Sequence, residues 1–533
     1  MFLRTVCRAQ GAKAFHQNAN VRFLATQVEA AKEDIISGPE TQIDYSKAAP
    51  YSSMPGPSII SLLRANLPGG SCYKKGLDEM LRFYRKKYGD LCKLPGVFGH
   101  PEVVVTHNPD HFEMVLRTEG IWPHIPTFYT MKYFREKVRP DVFGEYAGLL
   151  MTEGKKWAEF RSAVNPVMVQ PRRAKLYIPT IDEVADNFLE RIRKLRESAT
   201  NQLPGNFEAE IHKWALESIG VIALDKRLGL ISDDCNEREA KFLASLESFF
   251  RLAYDLEFKP SLWRIIATPK FKEMMKVLTT MTDLSNEYID EAKARLDKKA
   301  NTAEKDHEES VLEKLLKINP TIAKVMAIDM LFAGVDTTSS AFKSALYLLS
   351  KNPEKQEALR KEILTVLPRK DSSLTVEKMA RLPYLRACLK ESHRLHPVIH
   401  GNVRGAGRDL VLDGYQIPKG TFVVFNSPDL MKDEAYFPDA TKFIPERWLK
   451  DEGKGASCPG TAKTFHPFVF LPFGFGPRSC IGWRFAEMEI EILISKLVRN
   501  FYISWDHPDL KFKWKTLNVP DGKLKFTLTD VNY

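Results

Sequence analysis

One cysteine in a glycine-rich loop that opens directly into a helix constrains this chain more than any other stretch. The loop reads Phe473-Gly474-Phe475-Gly476-Pro477-Arg478-Ser479-Cys480-Ile481-Gly482. The residues after it, Trp483-Arg484-Phe485-Ala486-Glu487-Met488-Glu489-Ile490, carry a helical pattern. A thiolate is kept deprotonated by nearby amide N–H donors, and those donors tune any iron it binds. Gly476 and Gly482 have no Cβ, so backbone there can approach a flat ligand closely. Phe473 can pack against such a ligand, and Arg478 can bind an anionic group on it. Together these demands describe a haem iron held by a cysteine thiolate, which donates electron density and favours O–O cleavage.

Two other readings compete. One is a buried cysteine in a Gly/Pro turn before a helix. The other is a zinc site built from Cys458, His466 and Cys480, which lacks the short Cys-x-x-Cys pairing usual for zinc. The spacing Phe-x-x-Gly-x-Arg-x-Cys-x-Gly resembles the haem-binding signature of the cytochrome P-450 family at every fixed position. That resemblance implies haem b with an axial thiolate from Cys480. It also implies a mainly α fold with a smaller β-rich portion, formed as a single large domain over residues 50–533.

The chain has 533 residues, 44% hydrophobic and 27% charged, as in globular rather than disordered proteins. Its seven cysteines are scattered and odd in number, which argues against a disulfide framework and suits a reducing compartment. Part of the net charge of +10 lies in residues 1–28, where Arg4, Arg8, Lys13 and Arg22 precede the first acid, Glu29. Apolar Phe2, Leu3 and Val6 can share a helical face opposite the basic residues. Basic, acid-free and amphipathic describes a mitochondrial transit peptide, here residues 1–24, followed by a flexible segment, 25–49. Losing those four charges takes +10 to +6, still a basic surface. No early apolar run is long enough to span a bilayer, whereas microsomal relatives of the family carry an N-terminal anchor. The expected location is the matrix side of the inner mitochondrial membrane, peripherally held, and no nucleic-acid partner is expected.

Met54-Pro55-Gly56-Pro57 is a turn-rich start to the folded part. Val103–Thr106 reads as a buried strand, and Asn108-Pro109-Asp110 starts a helix through Leu116. Residues 155–350 are mostly helical, with three- and four-residue apolar spacing at 206–220 and 270–297. Asn352-Pro353-Glu354 predicts another helix start, with Asn352 as the cap. Short strands and turns follow at 398–426, and strands again at 510–530. No internal repeat or inter-domain linker is present.

Residues 326–346 form a long apolar helix, interrupted by Ala333-Gly334-Val335-Asp336-Thr337-Thr338. The Thr337 hydroxyl can bond the carbonyl of Ala333, which bends a helix, and Gly334 weakens the same turn. The order is similar to the family's Ala/Gly-Gly-x-Asp-Thr element. It implies a pocket for dioxygen in which Thr337 holds the oxygen species and Asp336 relays protons. Glu391 and Arg394 stand three apart on one helix face, and Arg447 follows in Phe443-Ile444-Pro445-Glu446-Arg447-Trp448. These three resemble the family's Glu–Arg–Arg triad, a buried network that would lock the cysteine loop.

Trp157 and Arg161 lie four apart on one helix face. They resemble the family's Trp-x-x-x-Arg pair for haem propionates, and Arg404 matches a further propionate-binding arginine. With Arg478 these would balance two carboxylates. Arg386, Lys390 and Arg484 resemble the basic positions that mitochondrial members use to dock a [2Fe–2S] ferredoxin, although Trp483 departs from the basic residue often found there.

The resemblance implies a mitochondrial monooxygenase of the arthropod branch. Electrons would come from ferredoxin and its NADPH-dependent reductase, and one oxygen atom would enter a lipophilic small molecule of xenobiotic or insecticide type. A steroid hydroxylase of ecdysteroid type is the alternative within the family. A haem sensor or carrier without oxygen chemistry, and a haem-thiolate isomerase, are alternatives of other kinds. Segments 119–130, Met330–Thr337, Val398–Asn402 and Thr516–Pro520 are expected to line the pocket. They supply Trp122, Phe128, Phe332, Val398 and Ile399 as an apolar wall.

Overall fold

The structure, a computed structural model, describes residues 44–531 apart from 127, 234–236, 260, 302–307 and 450–464. The transit peptide, most of segment 25–49, and Cys458 of the zinc alternative lie outside the described residues. The described chain divides into two units. The smaller takes residues up to Ser53 together with Asp409–Ile417, and the larger takes the remainder and every candidate site residue.

In the larger unit the long helices are α1 (Gly154–Met168), α2 (Ile178–Leu195), α3 (Phe207–Leu224), α4 (Glu237–Ala253) and α5 (Pro269–Asn301). They are followed by α6 (Pro320–Lys351), α7 (Pro353–Val366), α8 (Pro383–Leu395) and α9 (Trp483–Asn500). Helix α6 runs through the middle and packs against α3, α5, α8 and α9. Its start is well specified: Pro320 occupies the first turn, and the Asn319 side chain accepts from Thr321 N (2.8 Å) and Ile322 N (3.1 Å). Helix α8 also begins on a proline. Its first amides, Tyr384 N and Leu385 N, donate to Glu362 on α7 at 2.8 and 3.0 Å, so one helix caps another.

The strands are β1 (Leu91–Leu94), β2 (Val103–Thr106), β3 (Asn402–Gly405), β4 (Leu410–Leu412), β5 (Tyr415–Ile417) and β6 (Phe422–Phe425), then β7 (Phe501–Ser504), β8 (Phe512–Trp514), β9 (Asn518–Pro520) and β10 (Thr527–Asp530). The largest sheet has the order β1-β2-β6-β3, with a parallel pairing of β2 and β6 between antiparallel edges. This puts Arg404 of β3 opposite Val423 of β6. The other pairs are antiparallel: β7 with β10, β8 with β9, and, in the smaller unit, β4 with β5. The β4–β5 turn is Asp413-Gly414, both at positive φ (46° and 78°), which suits a tight hairpin.

Two expectations need correction. Helix α6 is not interrupted at Gly334–Thr338 but runs unbroken from Pro320 to Lys351. The hydroxyl of Thr337 does bond Ala333 O, yet as an addition to the helix rather than a break in it. Asn352 precedes α7 as expected but makes no side-chain cap. Its amide instead donates back to Leu348 O at 2.7 Å, closing the end of α6.

Candidate haem-thiolate site

Cys480 lies three residues before Trp483, the first residue of α9, where unpaired helix amides create a positive end. The amides of Gly482 and Trp483 both bond its sulfur and favour the thiolate, as does the charge of Arg161. Burial outweighs them and pushes the Cys480 thiol up. The residue is nonetheless exposed. A group both accessible and densely surrounded sits at the floor of a recess. The loop holds this geometry through Cys480 N donating to Phe473 O (2.9 Å), while Gly474 and Gly476 adopt φ of 72° and 71°, a region that favours glycine. Phe473 is wedged against His393 and Trp483, at centroid distances of 5.5 and 6.0 Å.

Three guanidiniums converge beside this loop. Arg161 of α1 is buried and donates to Asn165 Oδ1 at 2.7 Å. Arg404 bonds Glu119 Oε2 (2.6 Å) and the carbonyls of Val403 and Phe475. Arg478 gives its three nitrogens to the carbonyls of Pro123, Leu149 and Thr152, at 2.8–3.1 Å, and lies over the Trp157 ring at 3.9 Å. Burial, joined by the charges of Arg404 and Arg161, lowers Arg478 to about 9. Clustered cations that weaken one another call for an anion.

Glu119 provides one charge. Burial pushes its carboxyl up despite Arg404, and its Oε1 has no hydrogen-bond partner among the described residues. The donor set therefore fits haem: a thiolate between helix amides, glycines where backbone must come close, and a cationic cluster for two propionates. Of the expected propionate-binding residues, Arg478 lies over the Trp157 ring and bonds three backbone carbonyls, which holds both beside Arg161 and Arg404. Glu119 escaped sequence reasoning because nothing local marks it; its partner is 285 residues away.

Helix α6 packs against α9, the helix that follows the cysteine loop. Ala333 is exposed in the middle of an otherwise buried helix, which marks it as a wall of an internal space. Thr337 Oγ1 donates to Ala333 O at 2.5 Å. Asp336 faces α3, where its Oδ1 is 3.6 Å from His212 Nε2. Burial pushes the Asp336 carboxyl up, opposed by His212 and Lys343. His212 was not legible in the sequence, being a single histidine in an apolar helix. Of the residues expected to form an apolar wall, Phe332 packs on Phe249 (5.4 Å), Phe249 packs on Phe128 (6.4 Å), and Ile399 is exposed. Val398 O accepts from Asn518 N, and Thr516 Oγ1 donates to Phe250 O, drawing those segments together. Trp122, by contrast, is 50% exposed.

The triad is assembled and buried. Glu391 receives Arg394 at 2.7 and 2.9 Å, Arg447 at 3.3 Å, Trp448 Nε1 at 2.9 Å and Ile444 N at 3.0 Å. Arg394 also bonds the carbonyls of Met431, Ala440 and Lys442. The network reaches the cysteine loop region through tilted and edge-on ring contacts, Trp448 with Phe470 (4.5 Å) and His393 with Phe473.

On the other flank, Arg386, Lys390 and Arg484 all act electrostatically on Glu487 of α9. Lys390 is exposed. Arg386 is less free than expected, pairing with Glu491 at 3.3 Å and bonding Met379 O. Arg484 bonds Val169 O (2.9 Å) and covers the Trp483 ring (4.1 Å).

A family model described as Cytochrome P450 matches residues 54–528. The chain belongs to the cytochrome P450 family. This P450 is 46% identical over 497 residues to "Cytochrome P450 CYP12A2" of Musca domestica, covering 92% of this chain and 93% of that one. It is 45% identical over 495 residues to "Probable cytochrome P450 12a5, mitochondrial" of Drosophila melanogaster, covering 92% of each. It is 40% identical over 465 residues to "Cytochrome P450 12b1, mitochondrial" of Drosophila acanthoptera, covering 87% and 86%. The P450 is a haem-thiolate monooxygenase, which sets aside the sensor, carrier and isomerase alternatives. Bound haem supplies the activation of dioxygen that places one oxygen atom in an organic substrate. No helix among the described residues is long and apolar enough to cross a membrane.

Proposed function

We propose that this P450 works in the mitochondrion, receives electrons one at a time from a [2Fe–2S] ferredoxin and its NADPH-dependent reductase, and oxidises a lipophilic foreign compound of insecticide type. One observation carries the reading: Arg386, Lys390 and Arg484 form a single basic group around Glu487, on the helix whose N-terminal end carries Cys480. An acidic one-electron carrier docked there would sit close to the thiolate loop. The names of the two Drosophila relatives above include "mitochondrial", which agrees with the basic, acid-free residues 1–24. Exposed Leu262, Ile265 and Ile266 suit contact with the inner-membrane surface. With haem bound, Cys480 would ligate the iron, and Trp157, Arg161, Arg404 and Arg478 would hold the two propionates. Thr337 and Asp336 manage oxygen and protons beneath an apolar wall.

Reconstitution tests this. The haem-loaded protein is supplied either with mitochondrial ferredoxin and its reductase or with the microsomal diflavin reductase. A panel of lipophilic insecticides and ecdysteroids is then screened by substrate-induced change in the haem spectrum and by product. Turnover of insecticides with ferredoxin alone supports the proposal. Turnover only with the diflavin reductase refutes the electron donor, and oxidation of ecdysteroids but not insecticides refutes the substrate class.

A further inference from the structure

His212 is a buried histidine on α3 that links the acid of α6 to the surface. Its Nε2 lies 3.6 Å from Asp336 Oδ1, and its Nδ1 lies 3.7 Å from Glu247 Oε1 on α4. The side chains of Glu247, His212 and Asp336 are 57%, 10% and 15% exposed, so the line Glu247–His212–Asp336 runs from solvent through a buried ring to a largely buried acid. A cleft of about 290 Å³ opens beside it, lined by Ala209, His212, Lys213, Ala240, Ala244 and Glu247 among others. Two buried atoms on the line, His212 Nε2 and Asp336 Oδ2, have no hydrogen-bond partner among the described residues. Unsatisfied buried polar atoms in a native fold call for an explanation. Here both belong to titratable groups that face each other.

We propose that His212 is the residue through which Asp336 regains its proton, with the cleft between α3 and α4 as the solvent inlet. The proposal rests on the assignment of Asp336 to proton delivery. In the step itself, a protonated His212 ring releases its Nε2 proton to the Asp336 carboxylate, leaving a neutral ring and a carboxylic acid. Rotation of the ring brings the bare nitrogen toward the cleft and Glu247, where it takes a proton from water. One proton crosses and no oxidation state changes. Burial favours the protonated form of Asp336, so the acid is receptive.

The charged surroundings allow this. On α3, Glu208 stands 4.0 Å from His212 Nε2, and Lys213 lines the cleft while pairing with Glu210. On α4 there is Glu247. On α6 there are Asp336 and Lys343, the latter buried and paired with Glu208. Lys515 acts electrostatically on Glu208. The carboxylates Glu208, Glu247 and Asp336 surround the imidazole. The nearest cation, Lys343, is engaged by Glu208. His212 touches neither haem nor substrate and is thus a positioning residue for proton supply.

The test uses the haem-loaded enzyme with its electron donors. His212→Gln keeps the size of the side chain and removes titration. Substrate binding should be unchanged. Turnover should fall about tenfold, less than the ~100-fold typical of losing a positioned acid or base, because cleft water can partly replace the ring. The solvent deuterium isotope effect should rise, and the pH profile of turnover should change shape. A second measurement does not depend on turnover. The infrared carboxyl band of Asp336, identified by its loss in Asp336→Asn, should titrate at higher pH in His212→Gln, since the ring no longer favours the carboxylate. For a variant that leaves the core untouched, Ala244→Leu should narrow the cleft and slow turnover likewise. If Asp336→Asn is impaired but His212→Gln and Ala244→Leu match the parent in rate and isotope effect, protons arrive elsewhere and the inference fails alone. If Asp336→Asn is itself unimpaired, the assignment beneath it fails too.

Discussion

Arg404 and Glu119 meet at 2.6 Å, both buried, and the unpaired oxygen of Glu119 lies 2.6 Å from where a Cβ on residue 476 would be. The ion pair and the cysteine loop therefore share one space. A side chain at position 476 also has to tolerate φ of 71°, which costs an L-residue roughly 1–2 kcal/mol. Gly476→Ala should lower stability by at least that amount and push Glu119 off Arg404. Haem content per protein, read from the Soret absorbance, should fall with it. Full haem content in Gly476→Ala would mean that the loop and the pair move independently.

The Glu391 carboxylate holds two arginines, an indole N–H and a backbone amide, with no exposure to solvent. Removing one partner of such a network leaves charge stranded in the core, at ~3–5 kcal/mol. Glu391→Gln should therefore unfold at lower denaturant and load haem poorly. Arg394→Lys should do no better, because a lysine cannot span Glu391 and the carbonyls of Met431, Ala440 and Lys442 at once. Denaturation midpoints within error of the parent would show that the network adds nothing to the fold.

What was legible in the chain was local. Cys480 with its helix, Glu391 with Arg394, Trp157 with Arg161 and Thr337 with Ala333 each sit within one turn or loop, where spacing alone sets geometry. What was hidden needed tertiary partners. Glu119 is named only by Arg404, and His212 only by the meeting of α3 with α6. The sheet that places Arg404 joins β1 and β2 to strands some 300 residues later, and no local pattern gives that order. Asn352 was misread because a cap residue between two helices can serve either, and here it closes the first.

Glu491 gives a pH signature. Burial, with help from Glu487 and against the pull of Arg386, raises its carboxyl to about 7. Glu362 also faces it unfavourably. A raised folded value means that the native state holds the proton more tightly than the unfolded chain. The stability this contributes is complete below the unfolded value of about 4.5 and is lost as pH rises through about 7. The loss amounts to ~3 kcal/mol at most. Thermal midpoints of the parent should decline across that window, and Glu491→Gln, which mimics the protonated form, should flatten the decline. An identical pH slope in the two proteins would contradict the raised value.

Thr337 bonds its own helix through Ala333 O, so its hydroxyl is held at one place beside the exposed Ala333. Thr337→Val keeps the branched shape and removes only the oxygen. Haem loading and substrate affinity should remain, while a larger share of the NADPH consumed should appear as hydrogen peroxide instead of product. The ratio of peroxide to product, measured against NADPH use, is the readout. An unchanged ratio would remove Thr337 from oxygen handling.

The basic group around Glu487 is not uniform, and this decides how docking should be tested. Arg386 is engaged with Glu491 and Met379 O, so reversing it would place three carboxylates together and disturb the fold. Arg484 is likewise bonded to Val169 O. Lys390 is exposed, its ammonium 6.0 Å from the Trp448 ring, and it is the clean probe. An exposed pair contributes ~0.2–1 kcal/mol, and reversal adds repulsion to the lost attraction. Lys390→Glu should thus raise the ferredoxin concentration for half-maximal turnover by up to about fivefold at low salt. The difference should shrink at physiological ionic strength, where charges are screened beyond ~8 Å. Peroxide-driven turnover bypasses the partner and should equal that of the parent, which separates docking from damage. Equal ferredoxin titrations for Lys390→Glu and the parent at low salt would move the docking face away from α8 and the start of α9.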